Sequence, residues 1–311
     1  MHDVTPPNNP LKPALIAGFT LIELSIVLVI IGLIVGGVLV GQDLIRAAEV
    51  RAQITQIEKY NTAVNTFRIK YNNDLPGDMN AADAAVFGFA ARGQYAGEGD
   101  GNGILEGVWW DGAGDNGFEY QCFGETAMFW VDLSTAGLIE GSFNTATSTT
   151  ASSCSAPGAY FPAAKLGGNN YINVYNDTTS PPQGASSANA NYFSLESITG
   201  FGTGNTIDST PGLTVAQAYA IDTKIDDGLP QSGNVVAAYL TGYQLLWAIG
   251  GGGDLNGYLQ GTPAAGVNTS PVPASATTCY DNGNQWSTTR QYSMSQNGGA
   301  GVNCALSFRF Q

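Results

Sequence analysis

Apolar residues along this chain fall into three regimes. From Leu24 to Gly41 the sequence LSIVLVIIGLIVGGVLVG carries no charge, and Phe19 to Ile22 extend it towards the N-terminus. A helix of this length and composition can cross the hydrocarbon core of a bilayer. Beyond Gly41 the pattern becomes amphipathic. Val50, Ile54, Ile57, Asn61, Val64, Phe67 and Tyr71 recur at intervals of three and four, a helical stripe with one polar interruption. Asp43, Arg46, Glu49, Arg51, Glu58, Lys59, Arg68 and Lys70 are distributed around that helix. Asn72-Asn73-Asp74 and the turn residues Leu75-Pro76-Gly77-Asp78 stop it. The pattern predicts one helix over 19–72, about 80 Å long at the α-helical rise. Its first half suits lipid or a filament core, and its second half suits the side of a folded body.

The third regime is a body of short elements. Glu125 to Leu138 reads as a short helix and Leu213 to Lys224 as another, preceded by Thr210-Pro211-Gly212 and stopped by Asp227-Gly228. Tyr171 to Tyr175, Tyr192 to Ile198 and Ala305 to Phe310 alternate like strands. Tyr239 to Ile249 is an apolar run of either type. Residues 141–169, 176–190 and 250–277 are rich in Gly, Pro, Ser, Thr and Asn and read as loops. The expected class is α+β: a long N-terminal helix on a small antiparallel sheet with large loop-rich insertions.

One carboxylate, Glu23, stands inside the apolar segment, where an ionised group is costly and marks a functional candidate. An incidental acid near the lipid headgroups is the plainer reading. A secretory signal peptide accounts poorly for the segment, because the run is long, no small-residue cleavage site follows it, and the helical pattern continues. The stretch Gly18-Phe19-Thr20-Leu21-Ile22-Glu23, running into LSIVLVIIGLI, resembles the N-terminal signature of type IV pilins and type II secretion pseudopilins. The resemblance covers residues 18–41 closely and extends loosely to Asp78. It implies a pilin-like fold and a prepilin leader over 1–18, cut after Gly18 by a prepilin peptidase that N-methylates Phe19. It also implies a filament-core or transmembrane part over 19–41 and an extracytoplasmic head over 73–311. Glu23 then guides assembly, pairing with the amine of a neighbouring subunit where the dielectric is low. Implied partners are other pilin or pseudopilin subunits, the peptidase, an inner-membrane assembly platform and inner-membrane lipid. The implied location is a single pass of the bacterial inner membrane with the head in the periplasm. Gly32 and Gly36, and again Gly37 and Gly41, form small-x-x-x-small pairs that allow close helix approach, although glycine is common in membrane helices anyway.

Charge sharpens the division. Residues 19–70 hold five basic and four acidic side chains, whereas 71–311 hold five basic and twenty acidic, a net of −15. So acidic a body is a poor surface for nucleic acid. The four cysteines, Cys122, Cys154, Cys279 and Cys304, all lie in the body and read as two disulfides. Of three connectivities, the sequential one (Cys122 with Cys154, Cys279 with Cys304) is preferred. No close Cys pair exists and the sole histidine is His2, which disfavours zinc. Without a body histidine there is no Ser-His-Asp or Cys-His arrangement, and no phosphate-binding glycine loop is present. The expectation is a non-enzymatic chain.

Glu98, Asp100, Asn102 and Glu106, with Asp111 and Asp115 close behind, place oxygen ligands among glycines in the manner of an incomplete calcium loop. Asp-Gly and Asn-Gly turns without an ion are the competing reading. Several pseudopilins carry a calcium-stabilised loop, and the resemblance implies such a role without matching it residue by residue. Ile225-Asp226-Asp227-Gly228 reads as a helix stop. Trp109 and Trp110 beside the acidic loops offer a stacking surface for sugar or a neighbouring subunit, or simple burial.

Overall fold

The computed structural model describes residues 20–95, 97–107, 121–149, 154–177, 189–202, 205–242, 244–248, 275–281 and 290–310. The chain divides into two compact units, Met1–Ala48 and Glu49–Gln311. The helices are α1 (Leu21–Lys70), α2 (Ala81–Phe87), α3 (Gly124–Thr135) and α4 (Val215–Ile225). The strands are β1 (Asn170–Asn176), β2 (Asn191–Phe201), β3 (Ile207–Thr210), β4 (Leu213–Thr214), β5 (Val235–Val236), β6 (Ala238–Thr241), β7 (Gln244–Trp247), β8 (Tyr280–Asp281), β9 (Gln291–Tyr292), β10 (Val302–Cys304) and β11 (Leu306–Arg309). The architecture is α+β, with one long N-terminal helix, small antiparallel sheets and loop-rich insertions.

In the first unit, α1 is continuous helix through Gly32, Gly36, Gly37 and Gly41, and a Cβ added at any of the four would meet nothing within 4 Å. Large apolar side chains from Leu21 to Ile45 are exposed.

The second unit begins inside the helix, because Val50, Ile57, Tyr60, Ala63, Val64 and Phe67 are buried. The apolar stripe supplies half of this face, Val50, Ile57, Val64 and Phe67, and leaves out Tyr60 and Ala63. It misses Gln53 and Gln56, which are buried because their amides tie the helix to the chain before β1. Gln56 Oε1 accepts from Lys165 N (3.0 Å), its Nε2 donates to Ala163 O (2.9 Å), and Gln53 Oε1 accepts from Leu166 N (3.3 Å). The helix stops where Asn72 and Asn73 take φ values of 55° and 70°. Asparagine tolerates this left-handed conformation better than most residues.

The main sheet is built on β2. It pairs antiparallel with β1 (Ile172 opposite Leu195), with β11 (Phe308 opposite Phe193) and, past Ser197, with β3; β11 also pairs with β5. Successive strand residues point to opposite faces. Ile172, Val174, Phe193, Leu195, Leu306 and Phe308 therefore share one face, and all are buried. Phe193 meets Tyr60 of α1 and Phe129 and Trp130 of α3 with ring centroids 5.9–6.3 Å apart, and Tyr60 meets Trp130 edge-on at 5.0 Å. Such aromatic packing contributes beyond its buried area.

In the apolar run that starts at Tyr239, β6 and β7 pair as a hairpin, with Ala238 opposite Trp247. Helix α4 begins at a capping box, Thr214 with Gln217, and ends at Ile225 as its Asp-Asp-Gly stop predicts. The disulfides are Cys122–Cys154 and Cys279–Cys304, the sequential pairing.

Candidate functional site

One group of acids lies where the segment after α1 crosses the start of α3. Gly77 makes the crossing possible. Its φ is +87°, and a Cβ there would come within 2.2 Å of the Glu125 carbonyl oxygen. Only glycine permits this approach, and it sets Asp78 beside the first turn of α3. The loop 97–107 then wraps the same turn, since Glu125 N donates to Gly97 O (2.9 Å) and Thr126 N to Glu106 O (3.3 Å). These bonds serve helix amides that have no partner within the helix.

Three carboxylates converge in the fold. Asp78, Asp100 and Glu125 each offer an oxygen within 4.8 Å of the other two, and such a group can hold a metal ion. Asp78 is buried and accepts backbone N–H bonds from Gly101 (2.8 Å), Asn102 (3.2 Å) and Gly103 (2.7 Å). Glu125 is buried and accepts from Gly99 N (3.0 Å) and Glu106 N (3.0 Å). Burial pushes the Asp78 carboxyl up to about 7, against the pull of the Gly103 and Gly101 amides. Burial, and then the charge of Asp78, push Glu125 well above the usual carboxylate range. The set consists of hard oxygen donors with negative charge in excess, so it is completed by a hard cation or by protons.

The sequence-derived candidates distribute unevenly around this point. Asp100 is in the cluster. Glu106 is buried, and its charge acts on Glu125. Glu98 is buried but faces its own turn, its Oε2 accepting from Gln94 N (2.7 Å) and Tyr95 N (3.1 Å). The Asn102 side chain closes a local turn, with Oδ1 on Ile104 N (2.6 Å) and Nδ2 on Asp100 (3.0 Å). Asp111, Asp115, Trp109 and Trp110 lie outside the described residues. Asp78 and Glu125 are not legible as ligands from the sequence, because each is more than twenty residues from Asp100 and only the crossing at Gly77 joins them.

Beside the cluster, Arg92 and Asp132 form a buried ion pair of 2.6 Å. Asp132 also accepts from Gly77 N (2.7 Å), and Arg92 donates to Met79 O and Ala90 O. Burial raises Asp132 and the Arg92 charge pulls it back. A second acidic group, Asp222, Asp226 and Asp227, can likewise hold a metal ion. Its oxygens serve the turn after α4: Asp222 accepts from Gly228 N and Tyr292 Oη, Asp226 from Asn234 N and Val235 N, and Asp227 from Leu229 N and Ser232 Oγ.

In the first unit, Gly18 and Phe19 lie outside the described residues. Glu23 closes a capping box with Thr20. Its Oε2 accepts from Thr20 N and Thr20 Oγ1 (both 2.8 Å), and Glu23 N donates to Thr20 Oγ1 (3.3 Å). The Thr-x-x-Glu spacing is the sequence signal for this arrangement. It shows how a lone acid is accommodated at the start of an apolar helix. No model of a known protein family, no curated protein and no solved structure matches this chain.

Proposed function

We propose that the chain is a non-enzymatic structural subunit of a type II secretion pseudopilus or a related type IV pilus-like filament. On this reading, prepilin peptidase cuts after Gly18 and methylates Phe19. The subunit waits in the inner membrane with its head in the periplasm, and an assembly platform then inserts it among other pilin or pseudopilin subunits.

The observation that carries the reading is the exposure of one half of α1. Its most apolar 18-residue window, with mean hydropathy 2.9, is wholly unburied, while residues 50–67 of the same helix form the core of the head. A core helix of a soluble protein would be buried, and a cleaved signal sequence would not run on into the fold. An uncharged half-helix attached to a folded head needs lipid or neighbouring helices to cover it. The Thr20–Glu23 capping box adds to this. It holds the Glu23 carboxylate at the helix start until the amine of a neighbouring subunit replaces Thr20 as its partner.

We further propose that the Asp78–Asp100–Glu125 group takes calcium. All-oxygen ligation by carboxylates suits this ion. Bound only by the folded head, it would hold loop 97–107 against α3 by mass action.

The deciding experiment is mass spectrometry of the membrane-extracted protein together with immunogold labelling of sheared filaments. A mature chain starting at N-methylated Phe19 and label on filaments are expected. Label along their length marks a major subunit, and label at the tips marks a minor one. A chain starting at Met1, with no label on any filament, defeats the reading.

A further inference from the structure

The face of the main sheet turned away from α1 and α3 is buried yet polar. Asn173 of β1, Ser194 and Glu196 of β2, Ser209 of β3 and Ser307 of β11 are all buried. The β6–β7 hairpin packs against β2, β3 and β11 with Ala238, Leu240 and Leu245 in the hydrophobic core, and hydrogen bonds also tie it there. Ser307 Oγ donates to Ala238 O (2.8 Å), Thr241 Oγ1 to Ser209 O (3.1 Å), and Leu240 N to Glu196 Oε2 (2.8 Å). Asn173 Nδ2 donates to Glu196 Oε1 (2.9 Å). Glu196 thus sits at the junction of β1, β2, β3 and β6.

Hydrogen counting at this junction is informative. The Ser209 hydroxyl contacts both Leu240 O and Glu196 Oε2 (3.3 Å). It carries one hydrogen. A carbonyl and a carboxylate are both acceptors only, so one of the two contacts would lack a hydrogen. If Glu196 is protonated, it donates to Ser209 Oγ, Ser209 donates to Leu240 O, and every contact is satisfied. The surroundings favour the neutral acid as well. Among the described residues no Lys or Arg lies within ion-pair distance of Glu196. The titratable groups that feel its charge are Tyr175 on β1 and Tyr239 on β6, both of which it pushes up. Asp208 of β3 is exposed, Arg309 of β11 is exposed and acts on Tyr192, and Asp177 acts on Tyr175 and Tyr192. Among the described residues, none of these groups neutralises a Glu196 carboxylate.

We propose that Glu196 is kept protonated in the folded head and that this proton fastens the β6–β7 hairpin to the sheet, making the hairpin a pH-sensitive latch. When the proton leaves to solvent, a charge is stranded on the polar face. The Ser209 relay loses a hydrogen, and detaching the hairpin lets water reach the carboxylate. Burial raises the acid from its ordinary 4.5 to about 8, against the bonds from Leu240 N and Asn173 Nδ2. The sign follows from this upward shift. The contribution is full below about 4.5, declines as pH rises, and is gone above about 8.

The test uses the full chain in detergent micelles. Hydrogen exchange of the peptide spanning β6 and β7, corrected for the intrinsic pH dependence of amide exchange, is expected to accelerate at least about tenfold from about pH 6 to about pH 9. E196Q keeps the shape and a donor without the titration, and is expected to show no such acceleration. In infrared spectra near neutral pH, the wild type is expected to show a protonated-carboxyl band that E196Q lacks. Should E196Q fail to fold, S209A retains the acid and removes the hydroxyl it faces, so the same band is expected to shift. A band insensitive to the folded variants, or equal acceleration in E196Q, overturns the proposal.

Discussion

At the scale of single residues, two charged side chains show opposite uses of an acid. Asp132 is buried against Arg92; its Oδ2 also accepts from Gly77 N, and Arg92 donates to Met79 O and Ala90 O. Removing one partner of such a pair leaves the other charge stranded, at a cost of about 3–5 kcal/mol. Arg92→Ala is therefore expected to lower the guanidinium midpoint by a corresponding amount. Arg46, whose contact with Asp43 is exposed, is expected to change it little on truncation. The hydrogen bonds of Glu23 lie within its own unit, in the cap at Thr20. Glu23→Ala is accordingly expected to leave the head's melting temperature unchanged while filament incorporation falls in cells lacking the wild-type copy. Unchanged incorporation would separate Glu23 from assembly.

At the scale of elements, loop 97–107 and the first turn of α3 depend on how the Asp78–Glu125 charge is neutralised. Without a cation, Asp78 has a folded value near 7 against an ordinary 3.8. Its favourable contribution is then present below about pH 4 and lost as pH rises towards about 7. A cation favours the ionised form and removes that loss. Full chain in chelator is expected to become easier to unfold between about pH 5 and about pH 7.5. Calcium is expected to flatten the trend, and Asp78→Asn is expected to blunt the difference between the two conditions. Identical curves in calcium and chelator would leave the loop held by protons alone. The comparison at fixed pH also sets aside Glu196, which is raised in the same direction but titrates in both solutions, and Asp78→Asn separates this group from Asp222.

At the scale of the molecule, the boundary between its two units falls within a helix rather than after it. The sequence pattern divides the chain at the helix stop near Asn72, whereas the compact head begins at Glu49. The reason is burial: Tyr60 and Phe67 pack among Trp130, Phe193 and Phe89, so residues 49–70 belong to the core. A fragment beginning at Glu49 is expected to be soluble and to melt cooperatively. One beginning at Tyr71 is expected to lack a cooperative transition in circular dichroism, because it exposes the apolar surface that the helix covers.

The sequence by itself determined whatever depends on neighbours along the chain. The continuous apolar run and its one-sided successor specify α1, because helical periodicity brings residues three and four apart onto one face. Alternation specifies β1, β2 and β11. Asp-Asp-Gly stops α4. The tertiary structure alone decided what depends on approach between distant segments. Gly77 against Glu125 assembles a carboxylate group in which only Asp100 was foreseen. Gln53 and Gln56 are buried because the chain before β1 needs their amides. Tyr239–Trp247 becomes a hairpin rather than a helix because the polar face of the sheet offers it hydrogen-bond partners. Local pattern fixes which face a side chain takes; which oxygens meet across that face is set by packing, and no spacing in the sequence records it.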